Sequence, residues 1–429
     1  MRDIGHWIDG KLVAGTSGRS ADVFNPATGE VQARVALASR AELDAAIASA
    51  ARAQVAWGAT NPQKRARVMM ALVGLLNRDM DKLAEMLSSE HGKTFPDAKG
   101  DIQRGLEVIE FCIGAPQMLK GEFTDSAGPG IDMYSMRQPL GVVAGITPFN
   151  FPAMIPLWKM GPALASGNAM ILKPSERDPS VPMMIAELCK EAGLPADALI
   201  GAGYGAAGER CMAISVAVPV GEGTAEALRE RLVPKIEALK VGPWTAGNDV
   251  DFGPVVTAAA KANILRLVET GVAQGADLVV DGRDFKLQGY EDGFFVGAHL
   301  FDHVTTDMDI YKTEIFGPVL SMVRAKTYDE ALQMAIDHEY GNGTAIFTRD
   351  GDTARDFANR INIGMVGVNV PIPVPLAYHT FGGWKKSGFG DLNQHGPDGF
   401  RFYTRTKTVT ARWPSGIRTG GEFNFKAMD

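Results

Sequence analysis

Pro139-Leu-Gly-Val-Val-Ala-Gly-Ile-Thr-Pro-Phe-Asn-Phe-Pro152, followed by Asn168-Ala-Met-Ile-Leu-Lys-Pro-Ser-Glu-Arg177, carries the pattern that decides the fold. Val142–Ile146 is a short unbroken apolar run, as expected of a buried parallel strand. Helical spacing over Ala153–Leu164 leads to a second such run in Asn168–Lys173, and another helical stretch, Val181–Ala192, follows. This β-α-β-α order predicts a doubly wound α/β sheet. Ligands in such sheets lie beyond the carboxyl ends of the strands, where the loops holding Asn150 and Lys173 fall. Prolines stiffen the first loop, and the Asn150 amide can donate to a developing oxyanion; a plain Asn-containing turn explains it equally well. Lys173 with Glu176 suits ribose hydroxyls or phosphate, against the plainer reading of a solvated loop with Ser175 capping a helix.

Upstream, Trp7–Val13 reads as a hairpin about Asp9-Gly10, and Asn25-Pro-Ala-Thr-Gly-Glu30 as a further turn. Helices are predicted over Ser39–Trp57, capped by Ser39, over Gln63–Leu87 and over Gly100–Leu119. Gly121–Gln138 is polar and turn-rich, an excursion from the domain. Downstream, a second α/β unit is predicted: strand 211–220, helices 223–239 and 257–274, strand 277–280, helix 328–337, strand 343–347 and helix 351–361. The β-branched, alternating Thr406–Trp413 reads as an edge strand available for pairing with another subunit.

A chain of 429 residues exceeds one ordinary core, so at least two domains are expected. Its net charge of −7 argues against nucleic-acid binding. Three cysteines, Cys112, Cys189 and Cys211, without CxxC spacing, form neither a disulfide framework nor a metal site and suit a reducing cytoplasm. No leader pattern opens the chain, and no apolar run approaches a membrane span.

Cys211 stands in Gly205-Ala-Ala-Gly-Glu-Arg-Cys-Met-Ala-Ile214. A thiol delivered by a small-residue turn beside Arg210 is expected to ionise readily, and thiolate is the nucleophilic form. A lone cysteine is otherwise most simply a small buried hydrophobe. Glu314, in Lys312-Thr-Glu-Ile-Phe-Gly-Pro-Val319, is either a carboxylate for a ribose or a proton, or a satisfied surface charge. Gly203-Tyr-Gly-Ala-Ala-Gly208 matches GxGxxG but lacks the strand before and helix after that the dinucleotide fingerprint requires.

In this order, Asn-Pro-Ala-Thr-Gly, Ile-Thr-Pro-Phe-Asn-Phe-Pro, Leu-Lys-Pro-Ser-Glu, Gly-Glu-Arg-Cys, Glu-Ile-Phe-Gly-Pro-Val and Lys386-Ser-Gly-Phe-Gly390 resemble the aldehyde dehydrogenase superfamily over almost the whole chain. Arg104–Phe111, Gly367–Pro375 and Phe381–Gly390 resemble its acylating branch, which acts on methylmalonate semialdehyde. The resemblance implies a Rossmann-type NAD domain (1–120 and 139–199), a catalytic domain (200–405) and a small β oligomerisation arm (121–138 and 406–429), in a homodimer or homotetramer. It implies that Cys211 attacks the aldehyde, with the oxyanion held by Asn150 and the Cys211 N–H. Hydride then passes to NAD, and coenzyme A takes the acyl group with loss of carbon dioxide, giving propionyl-CoA, or acetyl-CoA from malonate semialdehyde. Thr147 and Phe149 would line the cofactor cleft, Lys173, Glu176 and Arg177 the adenosine end, and Glu314 the nicotinamide ribose. Arg104 and Arg210 would hold the substrate carboxylate, for which the guanidinium fork is suited; alone, Arg104 reads as an exposed helix charge and Arg210 as an activator of the thiol. The alternatives are a hydrolytic semialdehyde dehydrogenase and an inactive, internally deleted paralogue serving as an oligomer partner.

The pattern breaks between Pro195 and Gly201, where relatives carry roughly 70 further residues, about two βα units in scale. That stretch holds the Gly-Ser/Thr turn against the pyrophosphate and, in hydrolytic members, a general-base glutamate. Either it is truly deleted or it is physically present outside this numbering; its loss would cost far more than the ~5–15 kcal/mol by which folds are stable.

Overall fold

The computed structural model describes residues 1–128, 130–194, 199–200 and 208–412. Val142–Ile146 and Ala169–Lys173 pair in parallel, with Val142 opposite Ala169 and Ile146 opposite Lys173. The helix Met154–Ala165 makes the crossover, and Leu199–Ile200 adds a third parallel strand beyond Ala169–Lys173. A strand therefore does precede the GxGxxG stretch, against the expectation from sequence. Val142–Ile146 is also less buried than its apolar run predicts: Ile146 is 73% exposed. Ala144 is exposed on the same face, and among the described residues no strand pairs with the outer edge.

Against this sheet lies a helical layer whose apolar stripes repeat at helical spacing. Leu72 and Leu76, Leu83 and Leu87, and Ile102, Leu106 and Ile109 are all buried against Leu157, Met160 and Leu164 of the crossover helix. Each such side chain contributes about 1.5–3 kcal/mol by leaving water. The first helix, Arg40–Ala59, opens with a reciprocal cap between Ser39 and Glu42, and that contact holds the Glu42 carboxyl down at about 2. The predicted helix Gln63–Leu87 is two helices, Pro62–Arg78 and Met80–His91, broken at Asp79, where the Asp79 N–H closes the first on the Leu75 carbonyl. The helix predicted from Gly100 starts at Phe95, capped by Thr94, and runs to Cys112. Ser175 caps nothing; the next helix is Ser180–Glu191, entered through Pro179.

The 121–138 excursion and the tail form one antiparallel sheet, with Ile131–Pro139 between Phe123–Gly128 and Thr404–Arg412. The tail strand thus finds its first partner in its own chain. A second core surrounds the sheet ordered Val216–Ala217, Val319–Met322, His299–Asp302 and Asp277–Val280, the last antiparallel to its neighbour. The predicted strand 211–220 shrinks to Val216–Ala217, because Cys211 and Met212 instead occupy a turn closed by Ala213 N–H on the Arg210 carbonyl at 3.0 Å. Among the described residues no helix is long and apolar enough to cross a membrane.

Candidate active site

The loop after Val142–Ile146 is fastened from both sides. Thr147 N–H donates to the Lys173 carbonyl at 3.1 Å, joining the two strand ends. Beneath it, the Lys93 ammonium donates to Asp101 at 2.8 Å and to the Asn150 carbonyl at 3.2 Å, and stands 4.4 Å over the Phe151 ring. Asp101 also accepts from Met154 N–H at 2.7 Å, holding the start of the crossover helix. Lys93 and Asp101 are both buried, and burial raises the Asp101 carboxyl against the pull of Lys93. Asn150 is therefore positioned by a buried ion pair that no periodicity in the sequence revealed.

Cys211 is the half-buried one of three free cysteines; Cys112 and Cys189 are fully buried. The expectation that Arg210 would promote its ionisation is not met. Burial chiefly, with the Glu314 carboxylate adding, pushes the thiol up to about 11. Arg210 is turned to Asp97 at 2.6 Å, so its charge is already engaged. Backbone N–H groups of Cys211 and Met212 pull the thiol the other way, and Asn342 Nδ2 donates to the Cys211 carbonyl at 2.7 Å.

Glu314, near enough for its charge to raise the thiol, leads into Phe316, whose backbone φ is +57°. Its ring meets Phe149 edge-on at 5.7 Å, and the Arg177 guanidinium lies 4.4 Å over the Phe149 ring. Gly208 joins this wall to the cysteine turn: its φ is +65°, and a Cβ there would stand 2.7 Å from the Gly317 carbonyl carbon. Only glycine allows that approach. Glu209, next in sequence, is fully buried; one oxygen accepts from Val256 N–H at 3.3 Å and the other has no partner. Desolvation raises its carboxyl to about 8.

Arg104 lies seven residues beyond Asp97 on one face of the helix Phe95–Cys112, about 10 Å along its axis. It pairs with Glu107 at 2.9 Å, while its carbonyl accepts from Trp158 Nε1 at 3.1 Å. Trp158 meets His395 edge-on at 4.2 Å and Phe381 at a tilt at 4.9 Å. Burial, then the Arg104 charge, holds His395 down at about 4, and neither ring nitrogen has a partner. One helix face thus carries Arg104 and the partner of Arg210.

The structure brings Cys211, Glu314, Phe149 and Arg177 to one wall, and sets Thr147 and Asn150 on the adjoining loop. Lys173 and Glu176 form an exposed pair at 3.2 Å at the rim. Asn150 and Cys211 share no hydrogen bond. Lys93, Asp101, Glu209, Asn342 and His395 were not anticipated. Thr147 Oγ and Asn150 Oδ1 are buried without partners, beside an aromatic pair and an arginine, a set of groups that fits a polar ligand with a planar ring. Residues 203–207 of the GxGxxG stretch and most of the Pro195–Gly201 juncture lie outside the described residues.

The chain matches the aldehyde dehydrogenase family in two pieces, residues 12–203 and 196–409, meeting where the sequence pattern breaks. It is 49% identical over 484 positions to a malonate-semialdehyde dehydrogenase of Pseudomonas aeruginosa, covering 96% of this chain and 97% of that one. It is 41% identical to the mitochondrial acylating methylmalonate-semialdehyde dehydrogenase of Arabidopsis thaliana, covering 95% and 78%. A crystal structure from Sinorhizobium meliloti 1021, of a protein named for methylmalonate-semialdehyde dehydrogenase and complexed with NAD, superposes with a TM-score of 0.95 at 59% identity, covering 97% and 99%. Since 96% of 429 residues is about 412, some 70 of the 484 positions in the alignment with the Pseudomonas protein have no counterpart here.

Proposed function

Because the chain belongs to the aldehyde dehydrogenase family, we propose that it oxidises methylmalonate or malonate semialdehyde with NAD, passing the acyl group through a Cys211 thioester to coenzyme A. The observation that carries this reading is the grouping of a half-buried thiol, a facing carboxylate and two arginines whose settings share one helix face. The resting thiol is protonated at neutral pH, so attack requires a base, and Glu314 is a carboxylate acting on Cys211. The new oxyanion meets the Asn150 amide and the Cys211 N–H. When bound, NAD supplies the hydride acceptor; Thr147, Phe149 and Glu314 would hold its nicotinamide half, and Lys173, Glu176 and Arg177 its adenosine half. For Arg104 and Arg210 to clamp the substrate carboxylate, the carboxylate must displace Glu107 and Asp97, anions that now occupy those guanidinium groups. Division into NAD domain, catalytic domain and arm belongs to the same reading and is supported by two separate large cores. So does a cytoplasmic, homo-oligomeric protein.

The test is NADH formation from malonate semialdehyde with and without coenzyme A. Turnover should require coenzyme A and vanish in Cys211→Ser; equal rates without it favour the hydrolytic alternative. The absent 70 or so positions favour a second reading, a catalytically silent partner subunit. Saturable NAD binding by the isolated chain rejects that reading, and its absence rejects the enzyme.

A further inference from the structure

Cys211 and Met212 are the two central residues of the turn closed by Ala213 N–H on the Arg210 carbonyl. The middle peptide of such a turn has two orientations, those of type I and type II turns, and a contact to its carbonyl selects between them. Here Asn342 makes that contact: its Nδ2 donates to the Cys211 carbonyl at 2.7 Å and lies 3.4 Å from Met212 Sδ. The following residue packs down on the same side, since a Cβ on Gly343 would stand 2.6 Å from Met212 Cε. The Cys211 carbonyl and the Met212 N–H belong to one rigid peptide plane, so holding the first aims the second. That N–H and the Cys211 N–H are the backbone groups favouring thiolate, against burial and Glu314. Arg210, the nearest cation in sequence, is tied to Asp97.

We propose that Asn342 is a positioning residue for the Cys211 nucleophile: by clasping the Cys211 carbonyl it keeps the Met212 N–H aimed at Sγ. The proposal rests on Cys211 being the nucleophile. Asn342 touches no substrate and acts only through the Cys211–Met212 peptide. The same clasp orients the turn that carries the Cys211 N–H toward a forming oxyanion.

The test reads the thiol itself, in the full chain and without cofactor. Cys112 and Cys189 are fully buried, so native alkylation by iodoacetamide reports Cys211, with Cys211→Ser as the blank. Asn342→Leu keeps volume and removes the donor; Asn342→Gln keeps an amide. The Leu variant should move the pH–rate profile upward by about one unit, slowing alkylation about tenfold at fixed pH below the midpoint, since one hydrogen bond to an anion is lost. The Gln variant should restore part of the shift. An unmoved profile in Asn342→Leu, with circular dichroism showing native helix content, overturns the proposal. So does an equal shift in the Leu and Gln variants, which would mark simple packing. A shifted profile combined with full turnover by Cys211→Ser would leave the clasp standing and remove the nucleophile reading instead.

Discussion

Glu209→Gln should make this protein more stable at alkaline pH and should flatten its stability profile. Glu209 is fully buried, with one carboxylate oxygen bonded to Val256 N–H and the other unpartnered, and its carboxyl is raised from 4.5 to about 8. The native state therefore holds a proton that the unfolded chain releases above its own pKa. Stability from this group is full below about 4.5 and is lost as pH rises towards 8, by about 1.4 kcal/mol per pH unit. Between pH 5 and pH 7.5 the wild type should lose roughly 3 kcal/mol that the Gln variant keeps, because a neutral amide binds no proton in either state. Asp178, which burial chiefly raises, slopes the same way in both proteins; the Glu209 charge that also raises it is absent from the Gln variant, so Asp178 adds to the difference only where Glu209 ionises. Urea denaturation at half-unit steps from pH 5 to 8.5, with both proteins on one buffer series, measures it. Parallel profiles would refute the reasoning, showing that Glu209 is charged and solvated in the native state.

Asp101→Asn should cost about 3–5 kcal/mol by leaving the Lys93 ammonium buried without its counter-charge, and Lys93→Met/Asp101→Leu should recover most of that; thermal midpoints decide, and equal losses in the two proteins would deny a coupled pair. Arg104→Leu should raise KM for a carboxylate-bearing semialdehyde about 10–100-fold while sparing an uncharged aldehyde; a matched rise for both substrates would remove Arg104 from the carboxylate pocket. Retention of the stretch missing between Pro195 and Gly201 should show as an intact mass about 7.5 kDa, some 70 residues at this chain's mean, above the 45.9 kDa of these 429 residues; a mass without that increment would mark a true deletion.

What was legible in the sequence follows from how locally each element is determined. The β-α-β order around Val142–Lys173 and the capped helix from Ser39 rest on short-range patterns and came through. His299–Asp302 and Val319–Met322 did not, because strands buried on both faces lack the alternation that marks a strand. The break at Asp79 escaped notice because leucines continue at helical spacing across it, while Arg78 ties Asp79 to Glu191 from a distant helix. Cys211 was placed in a strand because its neighbours are β-branched and small. A carbonyl clasp from Asn342, far along the chain, has no local signature.

The same distinction explains which site residues could be found. Asn150, Lys173 and Glu314 were candidates because of the loops they stand in, each beside a plainer reading, and Thr147 only through the family resemblance. Lys93, Asp101 and Glu209 look in sequence like ordinary surface charges and become informative only once burial is known. Burial also reversed the electrostatic expectation for Cys211: an arginine next in sequence counts for little when Asp97 holds it and Glu314 faces the thiol. Burial favours the protonated thiol at rest, so in the proposed mechanism contacts made on binding would add to the base, Glu314, in activating it. A substrate carboxylate that draws Arg210 from Asp97 would bring that cation back towards Cys211. Such coupling predicts that Cys211 alkylates faster with malonate present, and that Asp97→Asn gains the same acceleration without it. If neither change moves the alkylation rate, Arg210 serves the fold through Asp97 and takes no part in activating the thiol.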